Sequence, residues 1–92
     1  MTPEGKVKKE IKDYLRSKGA YFFMPVQTGY GSPTLDILAC VNGKFVGIEV
    51  KRPGKGATAR QHLIISEIIQ AGGIAFVADR VEDVVAELVS LL

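Results

Sequence analysis

The sequence contains one cysteine, no tryptophan and no long run of apolar residues. With Cys40 alone, no disulfide can form within the chain, which excludes the disulfide-stapled secreted classes. No stretch approaches the ~20 apolar residues that a membrane-spanning helix needs. The first residues, Met1 to Glu4, lack the apolar segment of a signal peptide. We therefore expect a soluble cytoplasmic protein.

Composition favours one folded unit. The 92 residues are 47% hydrophobic and 24% charged, which predicts a single domain over residues 1–92 rather than a disordered chain. The net charge of +2 is divided unevenly, because residues 1–62 carry eleven basic and five acidic residues and residues 63–92 carry one and five. This asymmetry is compatible with a polyanionic partner, although on charge alone ordinary solvated helix faces are the favoured interpretation.

Hydrophobic periodicity predicts the element order αβββαβα. Gly19 and the pair Gly72-Gly73 are expected to end helices, and Thr58 is expected to cap one. Asp79 and Glu82 predict a capping box for the last helix. The expected helices cover residues 4–18, 59–71 and 80–92, and the expected strands cover 20–27, 35–41, 44–51 and 74–78.

Asn42-Gly43 between two apolar runs predicts a two-residue hairpin, because a type I′ turn needs positive φ at both positions. In that register Asp36 lies directly opposite Glu49, with Cβ atoms ~5 Å apart. Lys51 is two residues further on and shares their face. The opposite face is expected to be buried and is wholly apolar: Ile37, Ala39, Val41, Val46, Ile48 and Val50.

Two facing carboxylates repel one another and should weaken the sheet. A hard divalent cation such as Mg²⁺, which prefers carboxylate oxygens and keeps several waters, would remove that penalty. The alternative is that Lys51 simply forms an ion pair with Glu49, which would stabilise the protein little.

Two further polar residues interrupt apolar helix faces. Glu4 falls on the inward stripe of the first helix, and Gln61 falls on the face that Ile65, Ile68 and Ile69 are expected to turn inward. Taken singly, Glu4 suits a helix N-terminus and Gln61 suits a first-turn amide. Together with the hairpin residues they predict a functional cluster, because local rules fail most often where function lies.

Other residues receive more ordinary interpretations. Cys40 is expected in the core, His62 on the surface or behind the site, and Tyr30 in packing rather than base stacking. The last helix carries more apolar side chains than a small sheet is expected to cover, which motivates a homodimer. Basic residues that could contact phosphates are Arg52, Lys55 and Arg60 beside the site and Lys8 and Lys12 on the first helix.

An Asp that opens one strand, Glu-x-Lys on its antiparallel neighbour and the order αβββαβ together resemble the PD-(D/E)xK nuclease superfamily. More closely, the chain resembles the VRR-NUC family, the virus-type replication-repair nucleases, over nearly its whole length. The matching stretches are Glu4, "GSPTLDIL", "GIEVKRPGKGAT", Gln61 and "AGGIAFVADRVED". Pro33 is a departure, since the family commonly places proline immediately before the Asp or one residue off.

The resemblance implies a mixed α/β (α+β) fold with a restriction-endonuclease-like αβββαβ core and a C-terminal helix. It implies a DNA endonuclease dependent on Mg²⁺ or Mn²⁺. Asp36, Glu49 and the carbonyl of Val50 would hold the ion, with Glu4 completing its shell directly or through water. Lys51 would orient or deprotonate the attacking water, and Gln61 would position Lys51 or that water.

The resemblance also implies a homodimer acting on branched DNA such as four-way junctions, alongside replication or repair proteins in a bacterial or phage-infected cell. Two alternatives remain: a non-catalytic nucleic-acid-binding dimer that keeps the fold, and a restriction-type enzyme. The sequence offers no evident base-reading element for the second, whereas intact Glu4, Asp36, Glu49 and Lys51 argue against the first.

Overall fold

The computed structural model describes residues 1–27, 29 and 31–92, so Tyr30 lies outside the described residues. The elements follow the predicted order αβββαβα, with a short 3₁₀ turn at Val89–Leu91 after the last helix. The helices are α1 Pro3–Ser17, α2 Ala59–Gln70 and α3 Val81–Leu88, and the strands are β1 Tyr21–Phe23, β2 Ile37–Val41, β3 Lys44–Val50 and β4 Ile74–Ala78.

The four strands form one mixed sheet in the order β1-β2-β3-β4. β1, β2 and β3 are antiparallel neighbours, and β4 runs parallel to β3 after the α2 crossover. The predicted hairpin is confirmed, since Val41 pairs with Lys44 and Ile37 with Ile48. Asn42 and Gly43 both have positive φ, at 52° and 83°, as a type I′ turn requires.

The core lies between one face of the sheet and the helices α1 and α3. The six apolar residues predicted for this face of the hairpin are all buried. They pack against Val7, Ile11 and Leu15 of α1 and against Val84 and Leu88 of α3. The final helix therefore places two of its apolar side chains in the core, although Val89 stays 64% exposed.

The other face of the sheet is covered only in part. α2 crosses β3 and β4, and Gly47 allows the close approach, because a Cβ there would lie 2.9 Å from Ile68 Cδ1. The predictions that Cys40 is core and that Ile69 points inward are wrong: both are exposed. Cys40 lies on the uncovered half of this face, opposite the exposed Phe45.

Of the two helix N-caps predicted from the sequence, the cap of α2 is confirmed and the cap of α3 is not. Thr58 and Gln61 form a full capping box at the start of α2. The predicted Asp79 and Glu82 box is wrong, because Arg80 is the N-cap and makes no side-chain cap hydrogen bond. Asp83 instead accepts from the Asp79 N–H at 3.1 Å. In the described part of the chain no helix is both long and apolar enough to cross a membrane.

Candidate active site

Asp36 and Glu49 meet at the end of the hairpin far from its turn. Asp36 immediately precedes β2, and the register that pairs Ile37 with Ile48 brings it beside Glu49 on β3. Its Oδ2 accepts a hydrogen bond of 2.9 Å from the Val50 N–H. This side-chain hydrogen bond continues the β2–β3 ladder by one step beyond its last backbone pair. It fixes the Asp36 carboxylate at the end of the hairpin.

Glu49 is a buried acid, only 3% exposed. Its burial and then the neighbouring Asp36 carboxylate raise the pKa of Glu49 to about 7, while Lys51 opposes the rise. Burial disfavours the charged form of an acid, and a second carboxylate nearby does the same. The repulsion inferred from the register therefore exists in the folded protein.

Lys51 follows β3 directly, and its backbone N–H donates to the Ala78 carbonyl at 2.9 Å. Its Nζ lies 3.4 Å from Glu49 Oε2, and its side chain is 18% exposed. The ion pair considered as the simpler alternative is thus present. It does not replace the facing carboxylates, because the pKa of Glu49 stays raised despite Lys51.

Gln61 is held at both ends of its amide. Its Oε1 accepts from the Thr58 N–H at 2.9 Å in the capping box, and its Nε2 donates to Glu49 Oε2 at 2.9 Å. The amide therefore orients Glu49, where the resemblance had implied contact with Lys51 or water. Gln61 therefore takes part in the capping box at the start of α2 and also supports Glu49.

Glu4 is near the site but does not join the carboxylate pair. Lys8 lies one helical turn after Glu4, and its Nζ is 3.2 Å from Glu4 Oε2 and 3.8 Å from Asp36 Oδ1. Within residues 1–27, 29 and 31–92, no three His, Cys, Asp or Glu side chains gather as a metal-binding group. The Glu4 carboxylate is therefore engaged by Lys8 in this arrangement.

Arg52, Lys55 and Arg60 are all exposed on the segment that follows Lys51. Lys12 lies on α1, one turn after Lys8. The segment is anchored by Asp79 Oδ2, which accepts from the Gly54 N–H at 3.1 Å. That hydrogen bond, followed by the Arg80 guanidinium, lowers the pKa of Asp79.

Sequence reasoning missed the contacts of two residues. Asp79 was interpreted as a helix cap, and Lys8 was assigned only to DNA contact. A local pattern could not reveal the Asp79 contact, because its partner Gly54 lies 25 positions away. For Lys8 one signal existed, since its i,i+4 spacing from Glu4 places both on one helix face.

A cleft of about 270 Å³ opens onto the carboxylate pair. Asp36, Glu49 and Gln61 line it, and Arg60 stands at its wall. On its far side Gln27 donates to the Thr34 carbonyl at 3.3 Å, which ties the end of the β1 segment to the loop before Asp36. The acids are therefore reachable from solvent although Glu49 itself is buried.

The donor set fits a hard divalent ion. Two adjacent carboxylates supply oxygen ligands, and Mg²⁺ is usually held by one or two carboxylates while it keeps several waters. Glu49 Oε2 is engaged by Gln61 and Lys51, and among the described residues no donor contacts its Oε1. Burial and the Asp36 carboxylate raise the pKa of Glu49, so a cation bound at this point would favour its charged form.

Comparison with known proteins agrees with this architecture. A solved structure described as a "VRR_NUC domain" superposes with a TM-score of 0.80 at 22% sequence identity, and the match covers 98% of this chain and 97% of that one. No protein-family model matches the sequence, and a comparison with curated proteins finds no match. The predicted fold is confirmed: the chain has the mixed α+β fold of a VRR_NUC domain.

Proposed function

We propose that this chain, with its VRR_NUC-type fold, is a metal-dependent endonuclease that hydrolyses DNA phosphodiester bonds. The proposal rests on one observation: Glu49 is a buried carboxylate that lies beside Asp36 and forms an ion pair with Lys51. A protein has no structural reason to bury one acid against another at the mouth of a cleft. Such an unfavourable pair of carboxylates, with a perturbed pKa, is typical of a functional site.

In this proposal Asp36 and Glu49 hold Mg²⁺ or Mn²⁺, together with the backbone carbonyl of Val50. The ion, when bound, polarises the phosphoryl oxygen. Gln61 keeps the Glu49 carboxylate in one orientation through its 2.9 Å hydrogen bond. Glu4, whose carboxylate Lys8 engages in the metal-free protein, would complete the metal shell directly or through water.

Lys51 is the residue that acts on the reacting groups. Its ammonium lies 3.4 Å from Glu49 Oε2, and its side chain is largely withdrawn from solvent. There it orients the attacking water or accepts its proton, and it steadies the charge that develops on the phosphate.

Substrate binding would rest on cations near the cleft. Arg60 lines the cleft, Arg52 and Lys55 are exposed on the loop after Lys51, and Lys8 and Lys12 are half-buried on α1. These cations would contact phosphates without reading bases, so binding should weaken steeply with salt. This favours selection of DNA shape, and we propose branched DNA such as four-way junctions as the substrate.

A homodimer would present two such sites to two strands. The uncovered half of the sheet presents exposed aromatic side chains on one face, which is more than singly scattered apolar residues would explain. The exposed residues on this apolar face are Tyr21, Phe23 and Phe45. We place the dimer interface there and the protein in the cytoplasm of a bacterial or phage-infected cell, alongside replication or repair proteins.

A substrate panel tests the proposal. Nicked, linear, flapped and four-way DNA are incubated with the protein and Mg²⁺ or Mn²⁺, and EDTA should stop all cleavage. Lys51→Ala should reduce cleavage at least ~100-fold by removing charge stabilisation at the reacting phosphate, while binding measured without cleavage stays close to that of the unmodified protein.

Lys44→Ala is the matched control, since Lys44 is exposed at the opposite end of β3 and its loss should leave cleavage unchanged. Normal cleavage by Lys51→Ala would refute the mechanism. Tight binding without any cleavage, by the unmodified protein on every substrate and with both metals, would favour the non-catalytic DNA-binding dimer.

A further inference from the structure

Lys8 links α1 to the sheet at the candidate site. Its Nζ contacts Glu4 Oε2 at 3.2 Å and Asp36 Oδ1 at 3.8 Å, and its side chain is only 27% exposed. Lys9, the next residue, points elsewhere and pairs with Asp13 at 2.8 Å, with 61% of its side chain exposed. The two neighbouring lysines thus have different surroundings on one helix.

The charges at the site are balanced in pairs. Lys51 is the cation beside Glu49, and Lys8 is the cation beside Asp36. The second oxygen of Asp36 is occupied by the Val50 N–H. Lys8 therefore lies at the Asp36 oxygen that the Val50 hydrogen bond does not use, so it competes directly with any cation that approaches that oxygen.

A divalent ion bound to Asp36 would lie within a few ångströms of the Lys8 ammonium. Their repulsion grows with the product of the charges and falls with distance and with the local dielectric constant. Asp36 cannot hold both cations close by without that penalty. Lys8 sits on a flexible four-carbon stem and can leave toward solvent, whereas Asp36 is fixed at the sheet edge by its hydrogen bond to Val50.

We propose that Lys8 is a positioning residue, the resident counter-cation of Asp36, which a divalent ion must displace in order to bind. Lys8 thereby holds Glu4 and Asp36 in place in the metal-free protein and sets the metal affinity of the site. The proposal rests on the proposed function only in taking Asp36 as a ligand of the ion. It predicts that Lys8 lowers metal affinity, the opposite of what a ligand or a supporting residue would do.

Calorimetric titration of Mn²⁺ into the protein without DNA tests the proposal. Lys8→Met keeps most of the apolar stem and removes the charge, so Mn²⁺ should bind on the order of tenfold more tightly. Lys9→Met removes the same charge from the same helix and should bind Mn²⁺ within about twofold of the unmodified protein. Lys8→Arg, which restores a cation, should return the affinity to that of the unmodified protein.

A second measurement needs no calorimetry. In EDTA, Lys8→Met should unfold at a lower urea concentration than Lys9→Met, because Glu4 and Asp36 have lost the cation that contacts both. Saturating Mn²⁺ should remove that difference. These variants are compared as intact proteins, so a general folding defect would show as a deficit that Mn²⁺ does not repair, and that result would overturn the proposal.

The remaining outcomes separate the two proposals. If the unmodified protein binds Mn²⁺ and Lys8→Met binds it equally or more weakly, the role of Lys8 is overturned and the proposed function stands. If Lys8→Met binds Mn²⁺ and the unmodified protein does not, the role of Lys8 is supported. If neither binds, both proposals fall, because Asp36 then holds no divalent ion.

Discussion

Replacing Glu49 by Gln should make the metal-free protein more stable at neutral and alkaline pH while destroying the candidate site. The folded protein raises the pKa of Glu49 from 4.5 to about 7, through burial and the nearby Asp36 carboxylate. An acid whose pKa is raised on folding favours the folded state while it is protonated. Its cost appears as pH rises through the window from 4.5 to about 7, where the unfolded chain has already lost the proton.

The size of the effect follows from that shift. One pKa unit is worth about 1.4 kcal/mol, so the full cost above pH 7 is about 3 kcal/mol. Between pH 5 and pH 8 the unmodified protein should lose roughly 2 to 3 kcal/mol of unfolding free energy relative to Glu49→Gln. The attraction of Lys51 is already contained in the pKa, so it needs no separate correction. Gln at position 49 can still accept a hydrogen bond from Gln61.

Urea unfolding in EDTA at pH 5 and pH 8 measures the difference for both proteins. The comparison of the two proteins cancels the contributions of titrating groups that lie far from position 49. Glu87→Gln serves as the matched control, because Glu87 is an exposed acid on α3 and should show no pH-dependent gain. Mg²⁺ at pH 8 should then stabilise the unmodified protein and leave Glu49→Gln unaffected.

A pH-dependent difference below about 0.5 kcal/mol, within the usual range for surface substitutions, would refute the reasoning. It would mean that Asp36 and Glu49 do not oppose one another in solution, and the physical argument for a cation between them would be lost. Stabilisation of Glu49→Gln by Mg²⁺ equal to that of the unmodified protein would count against Glu49 as a ligand.

Two further predictions concern the surroundings of the site. Asp79→Asn should loosen the loop that carries Arg52 and Lys55 and lower cleavage several-fold, because Gly54 loses a charged acceptor. The pKa of Asp79 lies below its ordinary 3.8, so the stability that its carboxylate contributes is present above pH 3.8 and is lost as pH falls through the lowered pKa. The urea midpoints of the two proteins should therefore converge in strong acid. A gap that stays constant with pH would contradict this. For the homodimer, light scattering at micromolar concentration should give about twice the 10.0 kDa chain mass. Phe45→Glu on the apolar face should give a monomer. Val89→Glu on the exposed last turn, the control, should leave the dimer intact. A monomeric unmodified protein would reject the dimer.

The hairpin and the carboxylate pair could be predicted from local sequence alone. A two-residue Asn-Gly turn fixes which residues face each other, and the period of two then assigns every side chain to one face. The same logic placed the buried residues of β2 and β3 correctly. Thr58 and Gln61 could also be predicted, because a capping box is an interaction between residues three apart.

The exposure of Cys40 and Ile69 could not be predicted in this way. Alternation shows which face of a strand a residue occupies, but the extent to which a helix covers that face depends on where the helix crosses the sheet. α2 covers β3 and β4 and leaves the β1 and β2 side open. Propensity and periodicity carry no information on that position.

Local spacing therefore sufficed for the order of elements along the chain, the register of the hairpin and the approach of Asp36 to Glu49. The partners of Lys8 and Asp79 depend on the packing of distant segments. Lys8 contacts Asp36, 28 positions away, and Asp79 binds Gly54, 25 positions away. Spacing constrains neighbours along the backbone because turn and strand geometry are nearly rigid over a few residues. The position of a helix against a sheet results from the summed burial of many apolar side chains, so the contacts at its polar rim emerge only in the folded protein.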